Sequence, residues 1–157
     1  MPADPRFMRR AIELARIGMN SGAGGPFGAV VVKDGEIIGE GHNRVLSTLD
    51  PTAHGEVVAI RDACNKLGSF SLDGCEIHTT GEPCPMCLGA ILWSRISRIY
   101  YGFSITDAAT IGFDDREFYR QFSLPAAERR VPCKQLAPEE AKELLVEYAA
   151  LPGRVAY

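Results

Sequence analysis

Four residues of the chain combine types and spacing that suit metal chemistry. His54 and Glu56 stand in the sequence H-G-E, and Cys84 and Cys87 stand in P-C-P-M-C. Histidine nitrogens and cysteine thiolates are preferred ligands of Zn²⁺, and a structural zinc normally has four of them. A catalytic zinc has three and leaves its fourth position to water. Because the motif offers three ligands, His54, Cys84 and Cys87, it predicts one catalytic Zn²⁺ per subunit.

Glu56 is a carboxylate that this metal would not need as a ligand. It lies two residues from His54, and near a helix start those two side chains point in different directions. We therefore expect Glu56 to contact the water on the metal. Zinc lowers the pKa of such a water from about 15.7 towards roughly 7, and a nearby carboxylate can take the proton and pass it on. The pattern predicts hydrolytic attack on an unsaturated carbon, with Glu56 as the proton carrier.

Two predicted helices begin at the metal ligands. Pro85 fits the first position of a helix that continues to Trp93, because a missing N–H costs nothing there. His54 opens an apolar-periodic segment that runs to Leu67, and Asp50-Pro51-Thr52 before it is expected to include a capping residue. The positive ends of both helices would favour thiolate at the site. We expect two helix N-termini to converge on one metal.

The rest of the chain alternates helix and strand. Asp34-Gly35 between two apolar runs predicts a hairpin, and the later order of strand, helix, strand, helix, strand predicts parallel pairing. The result would be a mixed sheet between helical layers. The expected elements are a helix from Pro5 to Asn20, strands at 28–32, 36–39, 75–79 and 98–102, and a last helix from Pro138 to Leu151.

These motifs together resemble a known superfamily. The pair H-x-E and P-C-x-x-C is the signature of zinc-dependent nucleobase deaminases. The chain resembles the cytidine deaminase-like superfamily and is most similar within it to the bacterial guanine deaminases. The likeness is carried by residues 24–35, Asn43, 50–56, 82–91, 106–115 and the C-terminal tyrosine. It implies an α/β fold, a three-layer α/β/α sandwich with a mixed central sheet.

The resemblance also implies roles for single residues at the metal. His54, Cys84 and Cys87 match the zinc ligands of the family, and Glu56 matches its proton shuttle. The implied reaction is hydrolytic deamination of free guanine to xanthine and ammonia, as in guanine catabolism.

Further positions match substrate-binding residues of the family. Asn43 matches an asparagine that hydrogen-bonds the base, and Phe27 lies in the segment that lines the base pocket. Asp115 aligns with an acid that reads the amino group of the purine, and an alignment slip of one residue would give Asp114 instead. Tyr157 matches a terminal tyrosine that closes the active site of the neighbouring subunit.

The same resemblance implies an assembly. A single deaminase domain, 1–157, would form a homodimer, with the C-terminal helix and tail (138–157) reaching the partner subunit. If the tail seals the pocket, a ribose is hard to fit, which favours the free base over guanosine.

Several alternatives share the metal motif. Guanosine, cytosine, cytidine and triazines all present an amino-bearing carbon beside a ring nitrogen. A tRNA adenosine deaminase would flip its base into the same pocket. A structural zinc would need a fourth ligand, for which Cys75 and His78 are candidates.

Composition narrows these choices. There are 17 basic and 20 acidic side chains and a sequence pI of about 5.6, which argues against nucleic acid as the partner, although Arg129, Arg130 and Lys134 form a local basic cluster. No apolar run approaches the roughly 18 residues of a membrane helix. Five cysteines without an evident disulfide framework fit a reducing, cytoplasmic location.

Overall fold

The computed structural model describes residues 3–157. The chain divides into two compact units, of which the first ends at Tyr119 and the second spans Arg120–Tyr157. The expectation of a single domain, 1–157, stays a prediction. The helices are α1 (Pro5–Asn20), α2 (Val45–Thr48), α3 (Gly55–Leu67), α4 (Pro85–Trp93), α5 (Ile105–Ala109), α6 (Arg116–Ser123) and α7 (Pro138–Ala150), and the strands are β1 (Gly28–Lys33), β2 (Glu36–His42), β3 (Glu76–Gly81) and β4 (Arg98–Phe103).

The first unit is built on one mixed sheet with the strand order β2-β1-β3-β4. The β1–β2 hairpin turns at Asp34 and Gly35, whose φ angles of 50° and 81° suit an Asp-Gly turn. Strand β1 also pairs antiparallel with β3, and β3 pairs parallel with β4. The mixed sheet is therefore confirmed, and its parallel pairing is confined to β3 and β4.

The two faces of β1 bury different side chains, because alternate residues of a strand point to opposite sides. Val30 and Val32 pack with Phe7 and Leu14 of α1. Ala29 and Val31 belong to the other apolar cluster, which α3, α4 and β3 complete with Ala59, Ala63, Ile77 and Ile91. Helices thus cover both faces of the sheet, which confirms the three-layer α/β/α sandwich.

Close packing of α3 on β2 places the start of α3 accurately. A Cβ atom at Gly39 or Gly41 would lie 2.5 Å from a backbone atom of Ala59. Such a contact is shorter than van der Waals packing allows, so only glycine permits this approach. Helix α3, which His54 precedes, is therefore packed directly against the backbone of β2.

The start of α3 differs from the sequence-based expectation in one detail. Neither Asp50 nor Thr52 caps the helix; His54 occupies the N-cap position and makes no capping hydrogen bond with its side chain. Asp50 instead accepts hydrogen bonds from the backbone N–H and the hydroxyl of Thr52, at 2.8 and 2.7 Å. The capping expectation was wrong because Asp50 closes a local turn before the helix begins.

The second unit has no buried residue. Helix α7 spans Pro138–Ala150, close to the expected range, and none of its residues is buried. Its largest apolar side chains are exposed, namely Leu144, Leu145, Val146 and Tyr148. The Tyr148 hydroxyl donates a hydrogen bond to the carbonyl of Val155 at 2.8 Å, which folds the last residues against the helix. No helix in residues 3–157 is long and apolar enough to cross a membrane.

Candidate active site

The three predicted zinc ligands lie at the starts of two helices. His54 is the N-cap of α3, and Cys84 is the N-cap of α4. Pro85 takes the first helical position of α4, as its missing N–H favours. Cys87 follows one turn into the same helix and is fully buried. The expected meeting of two helix N-termini is therefore present in the fold.

The spacing of these ligand atoms suits a tetrahedral zinc. His54 Nδ1 lies 3.6 Å from Cys84 Sγ and 3.5 Å from Cys87 Sγ. Zn–N bonds of about 2.05 Å and Zn–S bonds of about 2.3 Å at a tetrahedral angle would place nitrogen and sulfur about 3.6 Å apart. Both measured distances match this value, and all three donor atoms lie within 4.8 Å of one another.

The alternative of a closed structural site is not supported by the arrangement. Within the described part of the chain, His54, Cys84 and Cys87 form the one group of three or more potential ligands close enough to share a metal. Cys75 packs in the apolar core beneath α3. His78 is bonded to Glu76, 3.0 Å away. Neither residue supplies a fourth protein ligand.

The two cysteines share charge in a way that suits metal binding. Hydrogen bonds from Cys87 and then from His54 lower the pKa of the Cys84 thiol to about 4. The pKa of Cys87 is raised, chiefly because its thiol donates to Cys84. The pKa of His54 is raised by its hydrogen bond with Cys84. A divalent cation would displace the protons of Cys87 and His54 on binding, since zinc takes thiolates and neutral imidazole.

Glu56 lies in the first turn of α3 with 6% of its surface exposed. Burial is the largest influence on its carboxyl group and raises its pKa. A raised pKa suits a group that must both accept and return a proton near neutral pH. The structure places Glu56 beside the ligand group and outside it, as the sequence predicts.

A cavity of about 240 Å³ opens onto this group. It is smaller than the roughly 300–1,000 Å³ of pockets for drug-sized ligands. A small, flat molecule would fill it. The lining residues are Gly24, Gly25, Phe27, Asn43, Val45, Leu46, Pro51, His54, Glu56, Glu82, Cys84, Phe113 and Asp115.

Aromatic rings form one wall of the cavity. Phe27 packs edge-to-face against Phe113, with ring centroids 5.0 Å apart and an angle of 86° between the planes. Phe103 supports Phe27 from another side at 5.8 Å. Gly25 and Gly81 leave room for these rings, since a Cβ at either position would lie within 3.0 Å of a ring carbon. The wall is apolar, which suits stacking against a planar base.

Asn43 is held by its backbone and by one side-chain oxygen. Its N–H donates to the carbonyl of Phe27 at 2.8 Å, and its Oδ1 accepts from the N–H of Val45 at 3.1 Å. Because the partner is an N–H group, the oxygen of the amide must face Val45. Among residues 3–157 we find no acceptor for Nδ2. Asn43 therefore presents an N–H donor at the cavity.

The two neighbouring aspartates occupy different surroundings. Asp114 is exposed and forms a two-point ion pair with Arg116, at 2.7 and 2.8 Å. Asp115 lines the cavity, and partial burial raises the pKa of its carboxyl group. The geometry favours Asp115 over Asp114 as the substrate contact.

Tyr157 ends the second unit, and 71% of its surface is exposed. Its role at a neighbouring site stays a prediction.

Sequence reasoning missed several residues that line the cavity. Phe113 lies in the segment G-F-D-D, where the two acids have polar groups that suggest a substrate contact and the phenylalanine could equally fill the core. Glu82 directly precedes the cysteine motif. It lines the cavity because it lies two residues before Cys84, at the start of α4. Val45 and Leu46 begin the short helix α2, and Pro51 lies in the turn after it. This connection between β2 and α3 is too short and irregular for a periodic pattern to predict which side chains turn inward.

Comparisons with known proteins agree with this geometry. Residues 1–103 match the family model described as the cytidine and deoxycytidylate deaminase zinc-binding region. The chain belongs to this deaminase family. Its membership makes it a zinc-dependent hydrolytic deaminase, and the ligand group described above is its candidate metal site.

Individual relatives give a closer comparison than the family model does. It is 54% identical over 134 residues to a guanine deaminase of Bacillus subtilis, covering 85% of this chain and 86% of the relative. An X-ray structure of guanine deaminase from Bacillus subtilis superposes with a TM-score of 0.94 at 47% identity and covers 99% of both chains. A tRNA-specific adenosine deaminase of Aquifex aeolicus is 42% identical over 123 residues, with 78% and 79% covered.

Gly24 provides a test of the Asn43 geometry. A Cβ at Gly24 would overlap Oδ1 of Asn43. We expect Gly24→Ala to displace the amide and raise KM for the substrate about tenfold, the worth of one good hydrogen bond to a ligand. Steady-state kinetics in the parent and in an Asn43→Ala background would check this. The substitution should add little where Asn43 is already truncated, and an equal effect in both backgrounds would contradict the account.

Proposed function

We propose that this deaminase converts free guanine and water to xanthine and ammonia. One observation carries the proposal above all: the buried Glu56 carboxylate stands beside a three-ligand zinc group at the end of a small cavity with an aromatic wall. The relation to the guanine deaminase of Bacillus subtilis supports the choice of base.

His54, Cys84 and Cys87 would hold the zinc. When bound, the ion supplies a Lewis acid that lowers the pKa of water towards roughly 7. Glu56 takes a proton from the attacking water. The oxygen of that water bonds to the carbon that bears the exocyclic amine. Glu56 then gives this proton to the neighbouring ring nitrogen. It passes the second proton of the water to the amine, the carbon–nitrogen bond breaks, and ammonia leaves.

The cavity walls would orient the base. One of the two perpendicular rings of Phe27 and Phe113 can stack on its plane while the other presents its edge. Asn43 donates a hydrogen bond from Nδ2. Asp115 accepts from an N–H group of the base. One donor and one carboxylate acceptor beside an apolar wall discriminate by hydrogen-bond pattern, because a wrong partner leaves a buried polar group unsatisfied.

A substrate panel tests the proposal. We expect zinc-loaded protein to release ammonia from guanine and far less from guanosine, cytosine, cytidine, adenine or a tRNA. A matched assay of a Glu56→Ala variant identifies release that depends on the site. Release from the tRNA or from a nucleoside, with none from guanine, would keep the zinc chemistry and overturn the substrate.

We also propose that the protein is a homodimer whose C-terminal helix and tail, 138–157, reach the partner subunit. Helix α7 exposes its apolar side chains, as a segment that packs on another chain would. Helix α4 is apolar along its length and exposes Leu92 and Trp93 by 64% and 65%. In the full dimer Tyr157 would close the site of the neighbour, and residues 1–157 would act as a single deaminase domain.

Complementation between two defective variants tests the exchanged tail. In an exchanged dimer each site takes Glu56 from one subunit and Tyr157 from the other. Mixing Glu56→Gln and Tyr157→Ala protein under conditions that permit subunit exchange should recover turnover, to about a quarter of the parent value for statistical mixing. A mixture no more active than its two components would mean that each tail serves its own subunit or none.

We place the enzyme in the cytoplasm and in guanine breakdown. All five cysteines are free thiols, and two of them must stay reduced to bind zinc. A reducing compartment meets this need.

A further inference from the structure

Two hydrogen bonds join the dipeptide before the first cysteine ligand to the segment that carries the pocket residues Phe113 and Asp115. The hydroxyl of Tyr119 donates to the carbonyl of Pro83 at 2.7 Å. Oε2 of Glu82 accepts from the N–H of Ile105 at 3.1 Å. Glu82 and Pro83 stand immediately before Cys84, so these bonds attach the two ends of 105–119 beside a metal ligand.

Most of the attached segment is exposed. Helix α5 is one short turn, which a capping box between Ser104 and Asp107 stabilises. Of its residues, Ala108 alone is buried. A short, exposed segment opens easily unless tertiary bonds hold it. The hydrogen bonds of Glu82 and Tyr119 therefore help to fix the position of Asp115.

We propose that Tyr119 and Glu82 are positioning residues that hold the substrate-reading segment 105–119 at a fixed distance from the zinc ligand Cys84. This role rests on the proposed function for its kinetic consequence, since Asp115 must read the substrate. The physical reason is that a substrate contact misplaced by about 1 Å can cost on the order of 100-fold in rate. Pocket shape and metal geometry are linked through Glu82-Pro83.

A double-mutant cycle tests Tyr119. Tyr119→Phe removes one hydroxyl and keeps the ring, and we expect it to lower kcat/KM for guanine about fivefold, mainly through KM, with zinc content unchanged. In an Asp115→Asn background the same change should cost less than about twofold, because coupled residues are not additive. Tyr100→Phe is the matched control, since its hydroxyl accepts from Arg98 away from the cavity. Equal losses in both backgrounds would overturn the proposal.

Two different substitutions of Glu82 test its positioning role. Glu82→Gln keeps an oxygen for the N–H of Ile105, whereas Glu82→Ala does not. We expect the first to stay within about threefold of the parent kcat/KM and the second to lose more than about tenfold. Equal losses in both would show that the charge of Glu82 acts directly on substrate, and would remove it from the positioning role.

Hydrogen exchange separates this proposal from the proposed function. Amides of 105–115 should exchange faster in Tyr119→Phe and in Glu82→Ala than in the parent or in Tyr100→Phe, while amides of α3 stay unchanged. This result needs no substrate, so it stands even if the parent fails to deaminate guanine. Unchanged exchange in 105–115 would overturn the positioning role whatever the substrate.

Discussion

Replacing Glu56 by glutamine should leave zinc bound and remove most of the turnover. Glutamine keeps the shape of the side chain but cannot take a proton from water or return it to the leaving amine. General acid–base catalysis is worth about 10²–10⁴-fold, so we expect kcat to fall by that amount. Zinc content should match the parent, because Glu56 lies outside the ligand group.

The measurement is ammonia release under saturating guanine together with metal analysis of the same sample. Glu36→Gln is a suitable control, since Glu36 is exposed at the start of β2. Turnover of the Glu56→Gln variant close to that of the parent would contradict the proton-carrier role. Loss of zinc in this variant would show that Glu56 is a ligand after all.

Replacing Cys87 by alanine should abolish metal binding and turnover together. Cys87 is fully buried and lies 3.5 Å from His54 Nδ1, so no outside ligand can replace its thiolate easily. Two remaining ligands bind zinc far more weakly, and metal binding contributes to folding free energy at such sites. We expect zinc content near zero, turnover at or below that of Glu56→Gln, and a lower melting temperature.

A chelator experiment completes this test. Chelation should inactivate the parent, and added zinc should restore it, whereas added zinc should not restore Cys87→Ala. Cys133→Ala serves as the control, since Cys133 is an exposed thiol. Retained zinc and turnover in Cys87→Ala would contradict the three-ligand site.

Local sequence patterns were sufficient to predict the start of α4 and the β1–β2 hairpin. Pro85 after Cys84 marks a helix start because proline lacks the N–H that would be unpaired there, and α4 begins at that residue. Asp34-Gly35 marks a hairpin for an equally local reason, the positive φ of both residues. Short-range steric rules decide both features, so the sequence alone predicts them.

The pocket was harder to predict because tertiary packing decides it. Asp114 and Asp115 are adjacent and chemically identical, and only the path of the backbone turns one towards Arg116 and the other towards the cavity. A capping residue within Asp50-Pro51-Thr52 is expected because Asp and Thr both cap helices, yet Asp50 forms a local turn with Thr52 instead. The pairing of β1 with β3 likewise depends on which strands become neighbours, which the order of elements does not specify.

Turnover of guanine in water labelled with heavy oxygen tests the central claim most directly. Hydrolytic deamination transfers one oxygen from water to the carbon that loses its amine. Zinc-loaded protein should therefore produce xanthine carrying one labelled oxygen, with one ammonium released for each xanthine. Unchanged guanine, or xanthine without the label, would contradict the account.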